Sequence, residues 1–141
     1  MGNILKVYQY EHAILNNLVK PLIFCTHIKA IDEKAVSVNV SVAKELIKQS
    51  TTLMRTMKFE GAILSVISSL GENPVIKDID VLFNPSYQID VLKALTNVYR
   101  KKPFSIIWPG KYEEGKLLYA EEGYRDYKVY DIANYDITVI I

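Results

Sequence analysis

The sequence predicts a three-layer α/β domain in which helices cover both faces of a mostly parallel sheet. Short apolar runs, which are typical of strands buried on both faces, alternate with amphipathic helical patterns through the first 108 residues. The chain has 141 residues, of which 50% are hydrophobic and 23% are charged. This length and composition are those of one globular domain, so we expect residues 1–141 to form a single domain.

The first half of the chain combines one helical pattern with two strand patterns. The helical stripe consists of Leu5, Tyr8, His12, Leu15 and Val19. It ends at Lys20-Pro21, because proline disfavours a helical residue before it. The apolar run Leu22–Cys25 predicts a central strand. Alternating β-branched residues predict a second strand over Val36–Val40, and a helix follows over Val42–Lys48.

The second half continues the alternation and then changes. An apolar stripe predicts a helix over Leu53–Leu70, with its two methionines in the core and a left-handed C-cap at Gly71. Val75–Phe83 predicts a third strand, and Asn84-Pro85 supplies the N-cap and first-turn proline of the next helix. Phe104–Trp108 predicts a fourth strand. Three shorter strand-like pieces follow at residues 117–119, 127–132 and 137–141.

The arrangement of the four main strands is a prediction of its own. Apolar strands separated by amphipathic helices indicate one largely parallel sheet. The connection Thr26–Ala35 is short, because a parallel crossover generally takes about 10 to 12 residues or more. An antiparallel hairpin between the first two strands would therefore contradict this prediction.

Charge and composition exclude several classes of function. Seventeen Lys and Arg against sixteen Asp and Glu give a net charge of +1, which provides no strong field to attract nucleic acid or an anionic membrane. No apolar stretch approaches the roughly 20 residues that span a bilayer, and the N-terminus lacks a secretory pattern. The lone Cys25 fits a reduced compartment. We therefore expect a cytoplasmic protein.

The sequence also lacks the common catalytic and metal-binding patterns. Its only histidines are His12 and His27, and it has no Gly-x-Ser-x-Gly turn, which argues against a nucleophilic triad. No His-x-x-x-His or Cys-x-x-Cys spacing indicates a metal site. A phosphate-binding loop needs glycines, because backbone N–H groups must approach the phosphates. No glycine occurs between Gly2 and Gly61.

Several short segments follow one another in a characteristic order between residues 36 and 132. They are Ser37–Ser41, Ala43–Leu46, Asp78–Pro85, Tyr99–Lys101, Trp108–Gly110, Leu118–Tyr124 and Tyr127. In this order and spacing the chain resembles the BrxF family, small P-loop-containing proteins of BREX bacteriophage-defence systems. The resemblance implies a P-loop-NTPase-like fold and a role in antiviral defence.

Two departures from the family pattern bear on activity. Family members carry a Gly-rich Walker A loop after the first strand, where this chain has the glycine-free Thr26–Ala35. In the acidic strand, Lys77 stands where a magnesium-associated aspartate is expected, so Asp78 and Asp80 are displaced from that position. The resemblance therefore implies a pseudo-ATPase, an accessory subunit without catalysis, cofactor or metal. It would act by assembly with other proteins of the defence system or with a second copy of itself.

Three sets of residues are candidates for function. For partner binding they are Tyr119, Tyr124, Tyr127 and Tyr130, because tyrosine combines contact area with a polar tip. Ordinary strand faces are the other explanation of these tyrosines. An alternative function is binding of ATP and Mg²⁺ through a noncanonical loop, with candidates Lys29, Lys34, Asp78, Asp80 and Arg100. A second alternative is a nucleic-acid-binding module that uses Arg100–Lys102.

Overall fold

Six parallel strands form the central sheet in a computed structural model, which describes residues 2–12 and 20–141, the side chains of residues 11 and 12 excepted. The described strands are β1 (Asn3–Leu5), β2 (Leu22–Phe24), β3 (Val36–Ser37), β4 (Val75–Lys77), β5 (Ser105–Ile107), β6 (Lys111–Glu113), β7 (Lys116–Tyr119), β8 (Lys128–Asp131) and β9 (Thr138–Ile140). The large sheet has the order β1-β9-β2-β5-β4-β3. All of its neighbouring strands pair in parallel.

Helices pack on both faces of this sheet. The described helices are α1 (Val7–His12), α2 (Lys29–Lys34), α3 (Asn39–Leu46), α4 (Thr52–Met57), α5 (Phe59–Ser68) and α6 (Val91–Lys101). Successive strand residues point to opposite faces. Ile23 therefore joins the core with α3, α5 and α6, whereas Phe24 joins a second cluster with Tyr10 of α1 and Ile31 of α2. The predicted α/β class, a parallel sheet flanked by helices, is confirmed.

The prediction of one largely parallel sheet is confirmed for a part of each of the four predicted strands. Strands β2, β3, β4 and β5 all lie in it. The first two do not form a hairpin, because β5 and β4 lie between β2 and β3. The short α2 suffices to connect them.

The strand predicted over Val36–Val40 ends at Ser37, and α3 begins at Asn39. The alternation of valines is compatible with a strand. However, Val38, Val42 and Leu46 are spaced by four and are almost fully buried, so they form one side of a helix. Tertiary packing of that side overrides the local strand preference.

The predicted strand Val75–Phe83 is also shorter than expected. It ends at Lys77, and Asp78 has a left-handed backbone with φ of 53°. Residues Asp80–Phe83 then form a 3₁₀ helix, in which the Val81 N–H donates to Oδ1 of Asn39 at 2.8 Å. The chain therefore turns away from the sheet directly after Lys77.

Two helix predictions need similar corrections. The helix predicted over Leu53–Leu70 is divided into α4 and α5 at Lys58, although Gly71 has the expected positive φ of 86°. Asn84 caps the 3₁₀ helix Pro85–Tyr87 by accepting from Ser86 N–H at 3.0 Å. Helix α6 has its own cap, because Asp90 accepts from Lys93 N–H.

The N-terminal prediction is wrong for Leu5, which lies in β1 and not in a helix. The strand pairs with β9 in parallel, with Leu5 opposite Ile140. Helix α1 covers only Val7–His12 of the predicted range. The remaining stripe positions, Leu15 and Val19, lie outside the described residues.

The C-terminal strand-like pieces divide between two sheets. Strands β6, β7 and β8 form a three-stranded antiparallel sheet, whereas β9 returns to the parallel sheet between β1 and β2. The inner face of the small sheet carries Leu117, Tyr119 and Tyr130 into the main core. This face packs on Phe83 beyond β4, so the small sheet lies near the carboxyl ends of the parallel strands.

Candidate functional site

The carboxyl edge of the parallel sheet is the place where an α/β protein of this kind binds ligands. Strands β2 and β5 are neighbours there, and the chain leaves them in opposite directions, toward β3 and β9 respectively. Residues Cys25–Ile28 follow β2, Asp78 follows β4 and Trp108 follows β5. These residues define the candidate site.

The side chains in and after the connection that follows β2 do not come together at one point where a ligand could bind. Burial raises the pKa of the Cys25 thiol to about 12, which keeps it protonated and unreactive at neutral pH. The exposed His27 places Nδ1 at 3.2 Å from Oδ2 of Asp32, and the exposed Lys29 lies 3.9 Å from Glu33. Both side chains interact with α2 itself and do not converge on a bound group.

The lysines predicted for nucleotide binding do not come together. Lys29 begins α2 near the carboxyl edge of the sheet, and Lys34 ends it. Lys34 lines a cavity of about 480 Å³ together with Leu22 and Ser105, the first residues of β2 and β5. It therefore lies at the amino ends of the strands, away from Lys29.

The acidic candidates have separate environments. Asp78 is exposed after β4, whereas Asp80 lies in the 3₁₀ helix and accepts a hydrogen bond from the Tyr119 hydroxyl at 2.8 Å. The expectation that both lie in one strand is wrong, because β4 ends at Lys77. Arg100 lies in the last turn of α6, where Nη1 donates to Oδ1 of Asn97 at 3.4 Å.

Arg100 is also far from the carboxyl edge. Helix α6 ends at Lys101 and β5 begins at Ser105, so the end of this helix lies near the amino end of that strand. Arg100 lines a polar cleft of about 540 Å³ with Asp90 and Tyr135. The five nucleotide candidates therefore do not form one site.

An aromatic cluster occupies the space beyond β4 and β5. The Phe83 ring stacks on Tyr119 with centroids 3.8 Å apart and contacts Trp108 edge-on at 5.6 Å. Trp108 Nε1 donates to the Leu118 carbonyl at 2.9 Å. Gly110 permits this approach, because a Cβ there would collide with the same carbonyl. The cluster joins the two sheets, and no local pattern in the sequence indicates that Phe83 is its centre.

The four tyrosines predicted to bind a partner do not share one surface. Tyr119 and Tyr130 are only 7% and 5% exposed, because they point to the inner face of the small sheet. Tyr124 is 66% exposed in the loop between β7 and β8, and Tyr127 at the end of that loop is half-buried. Partner binding through exposed tyrosines therefore concerns only Tyr124 and Tyr127.

Three tyrosines, Tyr119, Tyr130 and Tyr135, have pKa values above the usual value of tyrosine. Desolvation and the hydrogen bond to Asp80 raise the pKa of Tyr119 above its usual value. Desolvation and the charge of Asp90 raise the pKa of Tyr130. Desolvation also raises the pKa of Tyr135, whose hydroxyl donates to Oδ2 of Asp90 at 2.7 Å. These hydroxyls therefore stay protonated, and so uncharged, at neutral pH.

The expectation that Met54 and Met57 belong to the core is wrong, because both side chains are exposed, Met54 to 36% and Met57 to 68%. Four apolar side chains in the segment that contains α3 and α4 are each about two-thirds exposed: Val40 (67%), Ile47 (64%), Leu53 (69%) and Met57 (68%). We call these four residues the α3–α4 apolar surface. Exposed apolar patches mark interaction sites in soluble proteins. The helical stripe in the sequence contained this signal, because Leu53 and Met57 lie on one side of α4.

Among the side chains that the structure describes, those of residues 2–10 and 20–141, no group of three or more His, Cys, Asp or Glu is placed to hold a metal ion. In the same part of the chain, no helix has the length and apolar character needed to cross a membrane. Comparison of the chain with protein-family models, with curated proteins and with solved structures finds no match.

Proposed function

We propose that the protein is an accessory, non-catalytic subunit of a BREX-like antiphage defence system and acts in the cytoplasm by binding another protein of that system. The observation that carries this proposal is the packing of the carboxyl edge. There the Phe83 cluster lies beyond β4 and β5, and a glycine-free connection follows β2. Both features favour loss of nucleotide chemistry on a retained scaffold.

A P-loop-like origin of the fold is part of the proposal. The resemblance to BrxF implies a strand followed by a phosphate-binding loop, and β2 is the central strand that corresponds to it. Helix α2, which would follow such a loop, has only six residues. The segment Cys25–Ile28 has no glycine through which the backbone could approach a phosphate closely.

Protein binding is supported by two tyrosines near the small sheet, one exposed and one half-buried. Tyr124 projects from the loop between β7 and β8, and Tyr127 lies at the end of the same loop. Aromatic side chains are enriched at protein interfaces because they contribute a large contact area with a polar tip. We therefore assign the contact with the partner to these two residues.

ATP with Mg²⁺ is expected to leave the unfolding temperature unchanged, and the purified protein is expected not to hydrolyse ATP. A ligand at 100 times its dissociation constant would stabilise the fold by about 2.7 kcal/mol, a shift of several degrees. A thermal-shift scan and a phosphate-release assay measure the two results. Binding or turnover that disappears in Lys29→Ala and Asp80→Ala would favour the nucleotide alternative.

Tyr124→Ala is expected to weaken binding of the partner by about 2 kcal/mol, roughly 30-fold, because anchoring aromatics dominate such contacts. Its own unfolding free energy should change by less than about 0.5 kcal/mol, since the side chain is exposed. Copurification with the products of neighbouring genes measures the binding. Tyr8→Ala, at a tyrosine with 64% exposure far along the sequence, is the matched control.

Two outcomes would contradict this assignment. Full retention of every partner by a Tyr124→Ala, Tyr127→Ala double variant would remove the proposed contact surface. Salt-dependent retention of the protein on DNA, lost when Arg100 and Lys101 are replaced, would favour the nucleic-acid alternative. Both residues are exposed at the end of α6, so neither replacement should affect folding.

A further inference from the structure

The α3–α4 apolar surface has a regular geometry. Leu53 and Met57 lie one turn apart on α4, whereas Val40 lies in the first turn of α3 and Ile47 directly follows the last residue of that helix. The Arg55 Nε donates to the Gln49 carbonyl at 2.9 Å, which holds α4 against the turn that follows α3. All four side chains therefore belong to one continuous segment of the chain, residues 40–57, which contains α3 and α4.

The charges around this surface are mostly positive. Lys44 on α3 and Lys58 after α4 are exposed, and no ion pair within 4.0 Å is found for either one among the described residues. Glu45 is the acidic residue of α3, and its Oε1 already binds Lys48 Nζ at 2.8 Å. The surface thus combines exposed apolar side chains with unpaired lysines.

A cleft of about 330 Å³ on the outer face of the small sheet has the opposite character. Its lining residues are Glu113, Glu114, Lys116, Leu118, Glu122, Tyr127 and Val129. Leu118 and Val129 are directly opposite in the β7–β8 register and provide an apolar floor. We call these seven residues the acidic cleft.

The acidic cleft carries more negative than positive charge, with three glutamates against the single Lys116. Glu113 lies 4.0 Å from Lys111, whereas Glu114 and Glu122 make no ion pair within 4.0 Å to any described residue. Both glutamates are exposed. Val129 on the floor is 46% exposed, so the cleft is open to an incoming side chain.

From this complementarity we infer that the chain binds a second copy of itself, with the α3–α4 apolar surface of one copy in the acidic cleft of the next. The cleft has about ten times the volume of a water molecule, which is enough for a leucine or methionine side chain. Lysines around the inserted side chains meet glutamates around the cleft. This inference does not rest on the proposed function: the two share Tyr127, which lines the cleft, whereas Tyr124 is not among the lining residues.

The two surfaces are different parts of the chain, so the contact is heterologous. Each copy keeps one unused surface after binding, and assembly continues into a ring or an open filament. A contact centred on four side chains and one cleft belongs to the small, weak class of interfaces. We therefore expect association that increases with protein concentration and decreases with salt.

Sedimentation velocity of the full chain over a wide concentration range tests the inference. The average mass of the parent protein should rise with concentration at low salt. The Leu53→Ser, Met57→Ser double variant should remain monomeric over the same range, with an unchanged unfolding midpoint, since both side chains are exposed.

Charge reversal gives a sharper test. The Lys44→Glu, Lys58→Glu variant and the Glu114→Lys, Glu122→Lys variant should each be monomeric alone, because like charges then face each other. An equimolar mixture of the two variants should associate again, since every contact between unlike copies is complementary. Lys101→Glu, an exposed reversal on α6, is the matched control and should associate like the parent.

Several results would overturn the inference. They are a parent protein that is monomeric at all concentrations, association that survives the serine variant, and a mixture that fails to associate. Binding to phosphatidylglycerol vesicles that requires Leu53 and Met57, without self-association, would assign the apolar surface to a membrane. None of these results changes the copurification of Tyr124→Ala, so the two proposals fail separately.

Discussion

Phe83→Ala is expected to lower the free energy of unfolding by about 3–5 kcal/mol, the cost of removing a large aromatic side chain from a packed core. Phe83 is 2% exposed and contacts three aromatic rings: Trp108, Tyr119 and Tyr130. Two of these rings belong to the small sheet and one follows β5. The substitution therefore opens a cavity at the junction of the two sheets.

Urea unfolding measures the loss, and the fluorescence of Trp108 gives a local signal. Trp108 is the only tryptophan of the chain, and its ring centroid lies 5.6 Å from that of Phe83. Phe83→Leu should recover part of the lost stability, because it fills part of the cavity. A loss below about 1 kcal/mol for Phe83→Ala would mean that the cluster does not hold the sheets together.

The sequence predicted the central strands well because their signal is local. The apolar runs at β2, β4 and β5 cannot be exposed, and the intervening stripes cannot be strands, so a parallel sheet flanked by helices follows. Strand β1 was missed for the opposite reason. Leu5 fits the helical stripe, and only its pairing with the distant β9 places it in the sheet.

The candidate site was less predictable because its contacts are far apart in sequence. Tyr119 and Asp80 form a hydrogen bond across 39 positions, and no local pattern near either residue indicates it. The close spacing of tyrosines in the sequence likewise placed Tyr119 and Tyr124 in one candidate set. In the structure, Tyr119 lies on the inner face of β7 and Tyr124 lies in an exposed loop. They differ because β7 ends at Tyr119, so that Tyr124 belongs to the loop that follows the strand.

The absence of glycine between residues 2 and 61 is the sequence feature with the most direct structural counterpart. A glycine-poor connection cannot wrap a phosphate, and the chain passes from β2 to α2 through four residues. The Phe83 aromatic cluster and the small sheet lie beyond the carboxyl ends of β4 and β5.

The free energy of unfolding is expected to fall steeply as the pH rises above about 10. Tyrosine in an unfolded chain has a pKa of about 10, whereas burial raises the pKa values of Tyr119 and Tyr130 in the folded protein. Between these two values the unfolded chain has lost protons that the folded protein keeps. Stability falls with pH wherever the unfolded state binds fewer protons, by up to about 1.4 kcal/mol per pH unit for each tyrosine.

Tyr119→Phe separates this contribution from those of other groups that titrate at high pH. The variant loses the hydrogen bond to Asp80, so at pH 8 it should be less stable than the parent by about 1–3 kcal/mol. It also loses an ionisable hydroxyl, so its stability should fall less steeply above pH 10. The two stability curves, from urea unfolding at several pH values, should therefore converge as the pH rises. Parallel curves would show that the Tyr119 hydroxyl titrates alike in the folded and unfolded states, contrary to its burial beside Asp80.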